Sequence, residues 1–159
     1  MEKTLKKPAK DFMAKKVIAV QENENIKALF KLLDQSAILG VPVVDDKHHV
    51  VGIVTETDLI RHFTTLETPH SINLLGSIVY LNDISDFNKH LKEHCAETVK
   101  DLMTAPAITA NETATLLEVI NLMSENNISR LPVVNKKGEL TGIITRKDVV
   151  HQLAKVKHV

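Results

Sequence analysis

The side chains best suited to chemistry lie in two stretches of like design, 90 positions apart. One is Gly142-Ile143-Ile144-Thr145-Arg146-Lys147-Asp148 and the other is Gly52-Ile53-Val54-Thr55-Glu56-Thr57-Asp58. Each runs from an apolar, strand-like segment straight into a helical one, with a hydroxyl and a carboxylate at the junction. A helix start carries unpartnered backbone N–H groups and the positive end of the macrodipole, so anions settle there. The same Thr-x-x-Asp spacing also builds a variant capping box, in which threonine and aspartate satisfy the helix end themselves. The two roles overlap, because a capping threonine still faces whatever lies at the junction. Charge separates the copies. Arg146 and Lys147 stand where the first copy has Glu56 and Thr57, and Arg130 stands where it has Gly40. A phosphate beside Arg146 gains about 1.5–3 kcal/mol from charge-assisted hydrogen bonds, whereas Glu56 repels it.

Other reactive groups do not assemble into a catalytic set. His90 and His94 share one helical face with Cys95 adjacent, but there is no acid between them and no second ligand pair, so a solvated face is the simpler account. The five glycines are scattered, which excludes a phosphate-binding glycine loop. No acid, base and nucleophile are placed together, and the chain reads as non-enzymatic. Twenty basic residues balance twenty acidic ones and aromatics make up 3% of the chain. That composition argues against nucleic-acid binding, which draws on basic patches and stacking rings. The single cysteine excludes an internal disulfide framework. The N-terminus lacks the apolar core of a signal peptide, and the longest apolar run, residues 72–81, is too short to span a membrane. A cytoplasmic protein is expected.

The elements that must position these junctions follow from a duplication. Shifting the chain by 90 aligns residues 10–63 with 100–153 without a gap, and about a quarter of the pairs are identical. The order expected in each copy is strand, helix, strand, strand, helix. Residues 17–20 and 107–110 read as first strands. Ile26, Leu29, Phe30 and Leu33, and then Leu116, Val119, Ile120 and Met123, follow the apolar period of an amphipathic helix. Asn23 or Asn25, and Asn111 or Thr113, are the expected N-caps. Val-Pro-Val-Val and Leu-Pro-Val-Val read as buried strands whose proline favours a strand start or edge. Turns at 45–49 and 135–139 lead to return strands at 50–54 and 140–144. Residues 1–9 read as a loose arm and 154–159 as a tail. Residues 64–99 read as a helical insert in which an apolar piece precedes a turn at 82–87 that leads into a helix through about Cys95.

The Lys-Asp-hydrophobic-Met openings (Lys10 to Met13 and Lys100 to Met103), the two x-Pro-Val-Val strands and the two Gly-Ile-hydrophobic-Thr-x-x-Asp closings resemble a tandem pair of CBS domains. The resemblance covers residues 10–63 and 100–153 and implies an α/β (α+β) fold of two β-α-β-β-α motifs related by a pseudo-twofold axis. It also implies two clefts for adenosine compounds and a homodimer. AMP, ADP or ATP are the expected ligands, with S-adenosylmethionine, NAD or cyclic di-AMP as alternatives, and no other cofactor is implied. In this resemblance Asp58 and Asp148 accept from the ribose hydroxyls, and Thr55 and Thr145 meet phosphate. Val17, Ile18, Ala107 and Ile108 flank adenine, while Ile38, Pro42, Ile128 and Pro132 close the slot. Arg146 and Arg130 favour the cleft that uses Asp148. The implied function is regulatory: occupancy of a cleft is transmitted to a protein target that the sequence does not identify. The competing class is a ligand-free scaffold acting through the 64–99 insert.

Overall fold

The computed structural model describes residues 2–63, 71–74, 77–80 and 97–155. Two three-stranded mixed sheets carry the two repeats. In the first, β1 (Val20–Gln21) runs parallel to β2 (Gly40–Val44), which pairs antiparallel with β3 (Val50–Thr55). A β4–β5 hairpin (Ser71–Leu74 and Ser77–Tyr80) follows. The second repeat copies the first with β6 (Ala110–Asn111), β7 (Arg130–Val134) and β8 (Leu140–Thr145). Helices α2 (Ile26–Ser36) and α3 (Glu56–Phe63) belong to the first repeat. Helices α5 (Leu116–Glu125) and α6 (Arg146–Ala154) belong to the second. A short α1 (Glu2–Leu5) and a 3-10 turn (Ala9–Asp11) precede the first repeat, and α4 (Val99–Leu102) opens the second.

The helical periodicity is realised as expected. Ile26, Leu29 and Leu33 are buried on α2, and Leu116, Val119 and Met123 on α5. The caps were half legible. Asn25 Oδ1 accepts from Lys27 N at 2.9 Å. On α5, neither Asn111 nor Thr113 caps the helix: Thr115 does, in a capping box with Glu118. Asn111 instead accepts from Thr113 in the preceding turn. The first strands are shorter and later than expected, so Val17, Ile18, Ala107 and Ile108 lie outside them. Pro42 and Pro132 sit mid-strand but at an open edge of the sheet, as expected. They are tolerated because β1 and β6 reach only Val43–Val44 and Val133–Val134, leaving no partner strand beside the proline nitrogen. In the insert, the apolar piece ahead of the expected turn forms the β4–β5 hairpin, a strand pair in a segment read as helical overall. The helix expected up to Cys95, including His90 and His94, lies outside the described residues.

The repeats exchange their opening segments. Val99 and Leu102 are buried in the core of the first repeat, alongside Val20, Leu29, Val41 and Val54. Ala9 and Phe12 are buried in the second, alongside Leu116, Leu131 and Ile144. Matching backbone bonds hold each exchange. Ala14 and Ile143 bond reciprocally (2.9 and 3.0 Å), as do Thr104 and Ile53 (2.9 and 3.0 Å). The segment expected as a loose arm is therefore tied down: Lys7 O accepts from Leu116 N at 2.8 Å, and Ala9 N donates to Ala114 O at 2.8 Å. The motif methionines complete the exchange. A Cβ on Gly142 would strike Met13, and one on Gly52 would strike Met103. The Lys-Asp-hydrophobic-Met motif of each repeat therefore seats its methionine on the glycine of the other repeat's closing motif. The two hairpin turns also meet, with Val50 N donating to Gly138 O and Leu140 N to His48 O.

Candidate functional site

The exchange creates two related clefts, each built from both repeats. One is a cavity of about 410 Å³ whose walls are Val17, Ile18, Ala37, Ile38, Leu39 and Ile143. Lys16, Arg130 and Thr145 supply its polar groups. Its counterpart is about 180 Å³ and is lined by Ile53, Ile128 and Ser129 together with Thr55, Glu56, Thr57, Thr104, Asn127 and Arg130. Among the described residues, Arg130 alone lines both.

Both Thr-x-x-Asp junctions close on themselves. Asp148 Oδ2 accepts from Thr145 N at 2.8 Å and from Thr145 Oγ1 at 2.6 Å. Asp58 Oδ2 accepts from Thr55 N at 2.7 Å and Thr55 Oγ1 at 2.8 Å. They differ at the other oxygen. Thr104 Oγ1 donates to Asp58 Oδ1 at 3.0 Å, and Asp58 is 4% exposed. Ala14 stands where Thr104 stands in the other repeat and has no hydroxyl to give. Among the described residues, none donates to Asp148 Oδ1, and Asp148 is half-buried.

The cations also divide unequally. Arg130 Nη1 donates to Glu56 Oε2 at 2.8 Å and to Ser129 Oγ at 3.1 Å, so its charge sits toward the smaller cleft. Arg146 is not brought to the larger cleft beside Thr145. Its guanidinium donates to Ile128 O and Asn127 Oδ1, and its side chain lines a separate groove between α5 and α6. Ala107 and Ile108 line neither cleft, and Ile108 packs against the core of the second repeat. Pro42 and Pro132 are buried strand residues that line neither. The residues that the motif reading missed are Lys16, Ala37, Leu39 and Ile143 in the larger cleft, and Glu56, Thr57, Thr104, Asn127 and Ser129 in the smaller. Ile143, Glu56 and Thr57 lie inside the closing motifs, while Lys16, Ala37 and Leu39, and Thr104, Asn127 and Ser129, come from the repeat opposite the threonine of their cleft.

The arrangement of the larger cleft, an apolar slot with a hydroxyl and two cations at its edge, suits a flat apolar group carrying an anion. Acid–base chemistry has no matching constellation there. Among the described residues no cluster of His, Cys, Asp and Glu could hold a metal, and no helix is long and apolar enough to cross a membrane.

Comparison with known proteins agrees with this architecture. The CBS domain family matches residues 9–65 and 99–155. Uncharacterized protein MJ1426 of Methanocaldococcus jannaschii is 32% identical over 151 residues, covering 91% of this chain and 89% of that protein. The chain is 27% identical to the chloroplastic CBSX2 of Arabidopsis thaliana and spans 63% of its length. The crystal structure of CBSX2 in complex with AMP superposes with a TM-score of 0.77 at 26% identity, covering 95% of this chain and 99% of that one. The CBS pair of MJ0100, in complex with 5′-methylthioadenosine and S-adenosyl-L-methionine, gives 0.67 at 26% identity, covering 95% and 98%. With both repeats matched, and with their elements, exchanged openings and paired clefts in place, the chain belongs to the CBS domain family as a tandem pair.

Proposed function

We propose that this protein is a non-catalytic regulatory module that binds a phosphate-bearing adenosine compound, AMP, ADP or ATP, in the cleft beside Thr145. The observation that carries this reading is the 410 Å³ cavity, with its apolar walls and with Lys16 and Arg130 among its lining residues. Val17, Ile18 and Ile38 supply an apolar slot of the kind a purine needs. Thr145 and the cations suit phosphate, and Asp148, which is bonded to Thr145 through Oδ2 and does not itself line the cavity, has its Oδ1 to offer a ribose hydroxyl beside it. The AMP complex of CBSX2 and the methylthioadenosine complex of MJ0100 support the ligand class. Lys16, with Arg130 when it turns from Glu56, favours an anionic ligand over S-adenosylmethionine, whose sulfonium they repel. Because both repeats line the cleft, a ligand there bridges them and stabilises one relative arrangement, which a partner protein reads.

Thermal denaturation with AMP, ATP and S-adenosylmethionine tests the reading. A ligand at 100 times its Kd should raise the stability by about 2.7 kcal/mol. The expected result is a shift with AMP or ATP that exceeds any shift with S-adenosylmethionine. No shift with either nucleotide would refute it.

A further inference from the structure

Arg130 is placed to serve one cleft and is held by the other. It opens β7 directly across from Thr145 of β8, and it lines the larger cleft. Its guanidinium nonetheless reaches Glu56, the first residue of α3, in the smaller cleft. The route passes over Gly40, where a Cβ would lie 2.7 Å from Val54 O, 3.1 Å from Thr55 Cα and 3.3 Å from Arg130 Cδ, so glycine leaves room for the arginine stem. The Arg130 side chain is 14% exposed and that of Glu56 is 42% exposed. A guanidinium this far removed from water needs an anion, and among the described residues Glu56 is the one paired with it. The larger cleft holds no matching pair, because Gly40 replaces the arginine and Arg146 is turned toward Asn127 and Ile128.

We propose that Glu56 is an internal competitor for the phosphate of a ligand in the opposite cleft, acting through Arg130. This rests on reading the Thr145 cleft as an adenosine-phosphate site. One guanidinium then serves two anions. A phosphate in the larger cleft engages Arg130 by drawing it away from Glu56, so the ion pair subtracts from affinity. Coupling is reciprocal. Once Arg130 has turned to the ligand, the smaller cleft keeps an unpaired carboxylate and takes a second phosphate less readily. One nucleotide per chain is the consequence, and a residue outside the occupied cleft sets its affinity.

Calorimetric titration of AMP and of adenosine into the wild type, Glu56→Gln, Arg130→Gln and the double variant tests this. Glu56→Gln should tighten AMP by about fivefold, the upper range of a partly exposed ion pair, and leave adenosine unchanged. The gain should vanish in the Arg130→Gln background, and the wild type should bind one AMP. Unchanged or weaker AMP binding by Glu56→Gln overturns the inference while the wild type's AMP binding keeps the functional reading. So does a gain that persists without Arg130. If neither AMP nor ATP binds the wild type or Glu56→Gln, the functional reading falls and the inference with it.

Discussion

The two clefts descend from one ancestral half-site, yet they differ in what their polar groups are already doing. In the smaller cleft every principal group has an internal partner: Asp58 is held by Thr55 and Thr104, and Arg130 by Glu56. Beside the larger cleft Thr145 and Asp148 hold each other, and although Asp148 does not itself line the cavity, among the described residues none donates to its Oδ1; Ala14 and Gly40 leave open what Thr104 and Arg130 fill opposite. Internally satisfied polar groups stabilise a fold, and unsatisfied ones at a cavity edge favour a ligand. On the proposed reading, the duplicated motif has diverged toward stability on one side and toward binding on the other.

The sharpest way to break this comparison is to remove each aspartate. Asp58→Ala should cost about 2–3 kcal/mol, since it strips a buried, charge-assisted cap, and should leave AMP affinity nearly unchanged. Asp148→Ala should cost only about 1 kcal/mol in stability but weaken AMP at least about tenfold. Denaturant unfolding and titration read the two effects separately. Loss of binding in Asp58→Ala with retention in Asp148→Ala would reverse the assignment of the clefts.

The exchanged openings offer the next test. Gly142→Val and Gly52→Val should each cost about 1–3 kcal/mol through overpacking against Met13 and Met103. The two clashes are matched: the added atom lies 3.1 Å from Met13 Cβ at Gly142 and 3.1 Å from Thr104 O at Gly52, so the two variants should melt alike. An unchanged melting temperature in either would mean that its methionine simply swings aside. A smaller effect separates the clefts at the positions of Ala14 and Thr104. Thr104→Ala should destabilise by about 0.5–1.5 kcal/mol through loss of one hydrogen bond. Ala14→Thr should tie Asp148 Oδ1 as Thr104 ties Asp58 Oδ1, and so weaken AMP binding without loss of stability. Unaltered AMP affinity in Ala14→Thr would show that this oxygen takes no part in binding.

Much of this was legible in the residues. The apolar faces of α2 and α5 follow from the 3.6-residue period, and the strands from β-branched runs bounded by turn residues. The Asn25 cap follows from local hydrogen bonding, and the Thr115 cap is written in the Thr-x-x-Glu spacing of a capping box. The hairpin in the insert was obscured because an apolar run fits strand or helix equally when no partner is in view. The candidate residues Val17, Ile18, Ile38 and Thr145 do share one cavity, while Arg146, which carried the phosphate argument, turns elsewhere. A charge at a helix start is visible in sequence, but the direction of a long, flexible side chain is not. It depends on which carbonyls and carboxylates the fold brings within reach.

By itself, the sequence determined that there are two repeats, which elements each contains, which faces are buried, and that each closing motif caps its own helix. All of these depend on residues within about one helical turn or one hairpin of each other, where covalent spacing sets the geometry. The tertiary structure alone decided that each opening segment packs in the opposite repeat, so that Val17 and Ile18 serve Thr145 rather than Thr55. It also decided that Arg130 reaches 74 residues back to Glu56. Contacts of that separation leave no period in the chain, because they are set by how two complete cores fit together.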